Sequence, residues 1–188
     1  MKTKIAKSCL FISLLLTVAV TEVKSQDSNP SAMYIDKVSI GLGIGIDNGG
    51  FGGSLLFYPI HQAGVFLGLG YPIAGFGYNA GVKFRLSSTT STRRFIPYLS
   101  AMYGYNAAIA VSGASQYNKL FYGPSVAFGF DWKRDYYTKG YWSVGLFIPF
   151  RSSEVDDYMD DLKINHGVEF KNSLPPVGLS LAYRFIVS

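Results

Sequence analysis

The stretch "FGYNAGVKFRL", residues 76–86, alternates without a slip. Phe76, Tyr78, Ala80, Val82, Phe84 and Leu86 share one parity; Gly77, Asn79, Gly81, Lys83 and Arg85 share the other. A β-strand turns successive side chains to opposite faces. The stretch therefore predicts a strand that is oily on one face and either tiny or charged on the other.

The same period recurs along the chain. The first strand runs from Val38 to Ile46 and ends at "DNGG" (47–50), a tight-hairpin signal. The second runs Phe51 to Tyr58 and stops at Pro59, the third is "GVFLGLGY" (64–71), and the opening stretch is the fourth. The polar "SSTTSTRR" (87–94) reads as a turn. The fifth keeps one parity from Phe95 to Val111, "SGAS" (112–115) turns the chain, and the sixth reaches Trp132. After the turn at 133–140, Trp142 to Phe150 forms the seventh strand and "VGLSLAYRFIV" (177–187) the eighth.

The identity of the second parity decides the class. In a soluble sandwich or lipocalin-like barrel it meets water and is rich in Thr, Lys, Glu and Gln. Here 15 of the 21 glycines fall on it: Gly41, Gly43, Gly45, Gly52, Gly64, Gly68, Gly70, Gly75, Gly77, Gly81, Gly104, Gly123, Gly129, Gly145 and Gly178. Glycine weakens strands and adds no solubility, but it suits the cramped inside of a narrow closed barrel. The oily parity then faces outward, and a sheet that presents it to lipid must close without an edge. The expected fold is all-β: an eight-stranded antiparallel up-and-down transmembrane β-barrel with a short helix in the last outer loop.

Composition and ends agree. The chain is 48 % hydrophobic and 15 % charged, against about 25 % charged in ordinary soluble domains. "MKTKIAKSCLFISLLLTVAVTEVKS" (1–25) reads as a cleaved signal peptide, with its lysines ahead of an apolar run too short to span a membrane. Residues 26–36 read as a periplasmic segment and 37–188 as the barrel. Cys9 is the single cysteine and lies at the front of the apolar run (Cys9 to Val20) and not at its end, which argues against a lipoprotein signal and leaves the expected mature chain without thiols. The leader takes four of the 17 Lys and Arg and one of the 12 acids, so the formal +5 falls to 13 against 11, or +2. No nucleic-acid partner is expected from that balance. With the N-terminus periplasmic, aromatics sort to strand ends. Phe57, Phe84, Phe95, Phe130, Trp132, Trp142, Tyr183 and Phe185 form an inner girdle. Phe51, Tyr71, Phe76, Tyr103, Tyr105, Tyr122 and Phe150 form an outer one.

Over nearly all of 37–188 the chain resembles the small eight-stranded outer-membrane β-barrels of the OmpA/OmpX type, in a glycine-rich style similar to the porin-family barrels of Bacteroidota. The likeness rests on architecture, with "GLSLAYRF" (178–185) as its most familiar phrase. Such barrels often end on an aromatic, whereas here Phe185 is followed by Ile186, Val187 and Ser188.

Two groups of residues carry possible chemistry. By parity and strand direction Lys83, Arg85, Asp131 and Arg184 converge near the periplasmic end of the lumen, with Asp131 as acceptor. They read as a polar network plugging the barrel, or, given three cations against one anion, as a gate or anion site. In the 151–176 connection Ser152 or Ser153 offers an N-cap, and Val155, Tyr158, Met159 and Leu162 form a stripe at helical spacing. A short helix could lay that stripe across the outer mouth. Asp156, Asp157, Tyr158, Asp160 and Asp161 then form a possible outer interaction surface. The acids lack calcium-loop spacing, so no metal and no cofactor is expected. The two histidines, His61 and His166, stand without a nucleophile motif, so the chain is read as no enzyme.

The expected function is therefore a structural or interaction barrel of the outer membrane without an open channel. The alternatives are a subunit of a larger envelope secretion or uptake complex, and a lipid-modifying enzyme working through His166. Outer-membrane lipids are the expected partners. A protein partner is expected at the 151–176 loop or at the hairpin of strands five and six, which outlasts a membrane-spanning length and should stand proud.

Overall fold

A computed structural model describes residues 36–86, 94–111, 113–134, 139–168, 170 and 174–187. The leader, residues 26–35 and most of the 87–94 turn lie outside the described residues. Eight strands form: β1 (Val38–Gly45), β2 (Gly50–Ile60), β3 (Ala63–Tyr71), β4 (Gly77–Arg85), β5 (Phe95–Ile109), β6 (Lys119–Trp132), β7 (Gly140–Pro149) and β8 (Gly178–Ile186). Each pairs antiparallel with the next, and β8 returns to β1 through pairs from Ser39↔Ile186 to Ile44↔Leu181. The sheet closes as an up-and-down barrel with no free edge along its wall. Residues 36–38, 185–187 and the β2–β3 turn mark one end, here the terminal rim. The β1–β2, β3–β4, β5–β6 and β7–β8 connections lie at the other, the distal rim.

The alternation of the sequence is the alternation of the wall. In β4, Gly77, Asn79, Lys83 and Arg85 are buried, while Tyr78, Ala80, Val82 and Phe84 are exposed. Glycine is required inside because large side chains already occupy the lumen. A Cβ on Gly129 or Gly145 would run into Tyr98, and one on Gly64 into Tyr58. Ile46, Leu56, Tyr58, Phe66, Met102, Tyr105, Ala127 and Phe147 form one apolar cluster within the barrel.

The turn after β1 departs from the expected tight hairpin. Ile46–Asn48 forms a single 3-10 turn that folds into the lumen, where Ile46 and Asn48 are buried. Asn48 accepts a hydrogen bond from Ser54 Oγ at 2.7 Å, and Asn79 Nδ2 donates to the Ile46 carbonyl at 2.6 Å. Gly49 and Gly50 take φ of 71° and 101°, which lets the chain reverse inside the wall. This infolding explains Gly68 and Gly70: a Cβ on either would strike the backbone carbonyls of Asp47 or Asn48.

A second departure lies in β5. Tyr105 pairs with Tyr122 and Ala107 with Phe121, so Asn106 is an extra bulge residue. Beyond it the parity inverts. Ala107 and Ile109, read from sequence as outward, are buried, and Tyr105 leaves the outer aromatic set for the lumen cluster.

β5 and β6 continue beyond their neighbours. β4 last pairs at Gly104, and β7 last pairs at Ser125, whereas the β5–β6 ladder runs on to Ile109↔Lys119. The resulting two-stranded ribbon carries the helix α1 (Glu154–His166) on its inward-parity face. Val155, Met159 and Leu162 bury against Ala107, Ile109 and Phe121, so the apolar stripe packs on the inward-parity face of the ribbon. Ser153 stands at the N-cap without a side-chain capping bond. Gly167 closes the helix with φ 63°, and Val168 N–H reaches the Leu162 carbonyl at 3.0 Å while its side chain joins the same cluster.

Candidate functional site

The lumen at the terminal rim holds a compact ionic network. β4 presents Lys83 and Arg85 two residues apart on its inner face, and β6 presents Asp131. Lys83 Nζ lies 2.7 Å from Asp131 Oδ1 and 3.2 Å from Ser143 Oγ. Arg85 Nη2 lies 2.7 Å from Asp36 Oδ1 and 3.8 Å from Asp131 Oδ2. Tyr141 donates its hydroxyl to Asp36 Oδ2 at 2.7 Å. Both cations also sit over aromatic faces, Lys83 at 3.7 Å from the Tyr98 ring centroid and Arg85 at 3.8 Å from that of Tyr58. Buried charges persist when they are paired; each of these has an oppositely charged partner, while Arg85 Nε and Asp131 Oδ2 make no hydrogen bond.

Three of the four residues expected to converge therefore do. Arg184 does not reach Asp131. Its Nη2 donates to Ser54 Oγ at 2.9 Å, and through Ser54 it is linked to Asn48 of the infolded turn. The network also contains residues that sequence reading missed. Asp36, the last residue of the segment placed before the barrel, lies fully buried in the lumen as the second carboxylate. Asp47, carried inward by the turn, accepts a short hydrogen bond from Ser180. Among the described residues Lys83, Arg85 and Arg184 thus share the interior with three carboxylates, Asp36, Asp47 and Asp131, so the three expected cations are no longer in excess. Between Lys83, Tyr98 and Arg184 the interior leaves about 10 Å³, the scale of about one water and not of a passage. Just past the end of β6, Lys133 approaches Asp36 at 3.9 Å; burial pulls its ammonium below the ordinary lysine value, and Asp36 pulls the other way.

The distal crown is the second candidate. Of its five expected residues, Asp156, Asp157, Asp160 and Asp161 are exposed. Tyr158 turns inward, donating to the Tyr117 carbonyl at 2.9 Å and meeting the Phe121 ring edge-on. Lys119 ties ribbon to helix through Glu154 at 2.9 Å and lies over the Phe121 and Tyr158 rings. Asp160 pairs with Lys163 and Asp161 accepts from Asn165. His166 Nδ1 lies 3.1 Å from the Tyr117 hydroxyl, with the rings 4.6 Å apart. Burial lowers Arg151 somewhat, against the attraction of Asp156. Among the described residues no three His, Cys, Asp or Glu side chains group as metal ligands.

The outward face is the third feature, and it is uniform. On all eight strands the outward positions from Ile40 to Phe185 carry aliphatic, aromatic, proline, alanine or glycine residues, and none is charged, an amide, Ser or Thr. Leu42, Ile44, Phe51, Tyr71, Tyr103 and Leu179 are each more than half exposed.

No known family matches the chain, and neither a curated protein nor a solved structure does.

Proposed function

We propose that this chain is an outer-membrane β-barrel with a structural or interaction role in the cell envelope, held in the bilayer by its wall and closed to conduction by its packed lumen. One observation carries the reading: a closed barrel whose whole outer face is apolar while Lys83, Arg85, Asp131 and Arg184 are buried inside. Soluble proteins rarely expose apolar patches beyond a few hundred Å², and a wall of eight such strands has lipid as its fitting solvent. Strands of 8 to 11 residues in β1–β4, β7 and β8 suit the roughly 9–11 tilted residues that cross a bilayer. The aromatics near both rims suit its two interfaces. On this reading the terminal rim faces the periplasm and the crown of ribbon and helix faces outward.

A second reading, a subunit of a larger envelope complex, is favoured by the ribbon. Past Gly104 and Pro124 neither of its strands has a wall neighbour among the described residues, which offers two strand edges for another chain to extend.

The mature protein should fractionate with outer membranes, resist alkaline extraction, and migrate faster before boiling than after. Recovery as a soluble periplasmic monomer would overturn the reading.

A further inference from the structure

We propose that the terminal rim carries a site for the phosphate of a glycerophospholipid, built by Arg134 beside a row of aromatic side chains on β6, β7 and β8. The inference rests on the membrane reading above and adds a ligand to it.

The row is set by register. Phe95 pairs with Trp132, Trp132 with Trp142, and Trp142 with Tyr183, so four adjacent strands place an aromatic outward along one paired row. Both tryptophans of the chain are in it. The rings touch: Phe95 stacks on Trp132 at 6.2 Å, and Trp142 meets Tyr183 edge-on at 5.1 Å. Trp132, Trp142 and Tyr183 wall a cleft of about 430 Å³ whose remaining lining includes Arg134 and Gly140. Gly140 matters to its shape, since a Cβ there would come within 2.6 Å of the Tyr183 hydroxyl. Amphipathic rings settle where apolar tails meet headgroups. A guanidinium at that level faces phosphates, which it binds by charge-assisted hydrogen bonds.

Charge around the two rims points the same way. Among the described residues Lys37, Arg94, Arg134 and Lys139 are exposed at the terminal rim, and the carboxylates there, Asp36 and Asp131, are fully buried and engaged by Arg85 and Lys83. Among the described residues the exposed acids, Glu154, Asp156, Asp157, Asp160 and Asp161, lie at the opposite end; Asp135, next to Arg134, lies outside the described residues. A soluble anion would find the cations but would gain nothing from the apolar wall below them. A lipid phosphate gains both, because its acyl chains run along Leu181, Val144 and Phe130 while the headgroup meets Arg134.

The test uses the full mature protein, folded and assayed in three ways. Insertion into vesicles of phosphatidylethanolamine and phosphatidylglycerol, read by the boiling-dependent shift, comes first. Native mass spectrometry from mild detergent then compares retention of phosphatidylglycerol with that of diacylglycerol of the same chains. Arg134→Gln and, as a neighbour on the same rim, Arg94→Gln are measured alongside. The wild type should retain one phosphatidylglycerol in preference to diacylglycerol, with inorganic phosphate unable to displace it. Arg134→Gln should weaken retention about fivefold, the effect of one basic residue at a lipid surface, and Arg94→Gln should change it less. Insertion with equal retention of both lipids, with no effect of Arg134→Gln, or with equal loss in both variants would overturn the site and leave the membrane reading standing. Failure to insert would overturn both.

Discussion

At the scale of single residues, the barrel interior is held by charges that would be ruinous if unpaired. Lys83 and Asp131 are 5 % and 0 % exposed and lie 2.7 Å apart. Removing one partner of such a pair costs about 3–5 kcal/mol, because the survivor stays buried without compensation. Asp131→Asn should lower barrel stability by that order in urea unfolding from lipid or detergent. Adding Lys83→Met should recover much of the loss, since the stranded ammonium is then gone; a double variant no better than the single would contradict the assignment. On β4 and β6 the inward residues are legible from parity, so Lys83, Arg85 and Asp131 can be placed together from the sequence. Asp36 cannot. It precedes the alternation and enters the lumen by meeting Arg85 and Tyr141, partners far along the chain that no local pattern announces.

Two elements show how long-range contacts override local signals. "DNGG" has the chemistry of a tight turn whether it projects or folds inward, and its direction is fixed by Ser54, Asn79 and Ser180 on three other strands. The bulge at Asn106 is similarly silent, because the alanines after it satisfy either parity; only the burial of Ala107 and Ile109 beneath α1 reveals the inversion. The helix itself was readable from its stripe, but its resting place on the ribbon depends on that hidden inversion. Leu162, fully buried among Val155, Met159 and Phe121, is the contact most sensitive to a charge. Leu162→Asp should cost about 2–5 kcal/mol or more at this joint. The helix belongs to no strand ladder, so the loss should stay local. Limited proteolysis should then cut within 151–176 while the boiling-dependent shift persists. Loss of the shift as well would show that the crown is needed to hold the barrel.

For the whole molecule, one physical choice organises everything: an unbroken apolar face outside, with charges, glycines and a cluster of large side chains packed together inside. The glycine parity revealed it because a filled lumen tolerates little beyond a hydrogen atom at many wall positions, as Gly43, Gly52 and Gly81 show by their contacts across the ladder. The specific partner is less legible, since it depends on surfaces at the two rims and not on the repeating wall. Residues 26–188 contain no cysteine, so single labels can be introduced cleanly at Ala80 and Val82, outward positions of the stretch at 76–86, with Gly113 on the ribbon tip as a reference. Spin labels at these three sites, in the protein reconstituted into vesicles, report contact with lipid-soluble oxygen or with a water-soluble nickel chelate. Membrane embedding predicts that labels at Ala80→Cys and Val82→Cys collide with oxygen and are shielded from nickel, while Gly113→Cys shows the reverse. Free access of nickel to Ala80→Cys and Val82→Cys would contradict it.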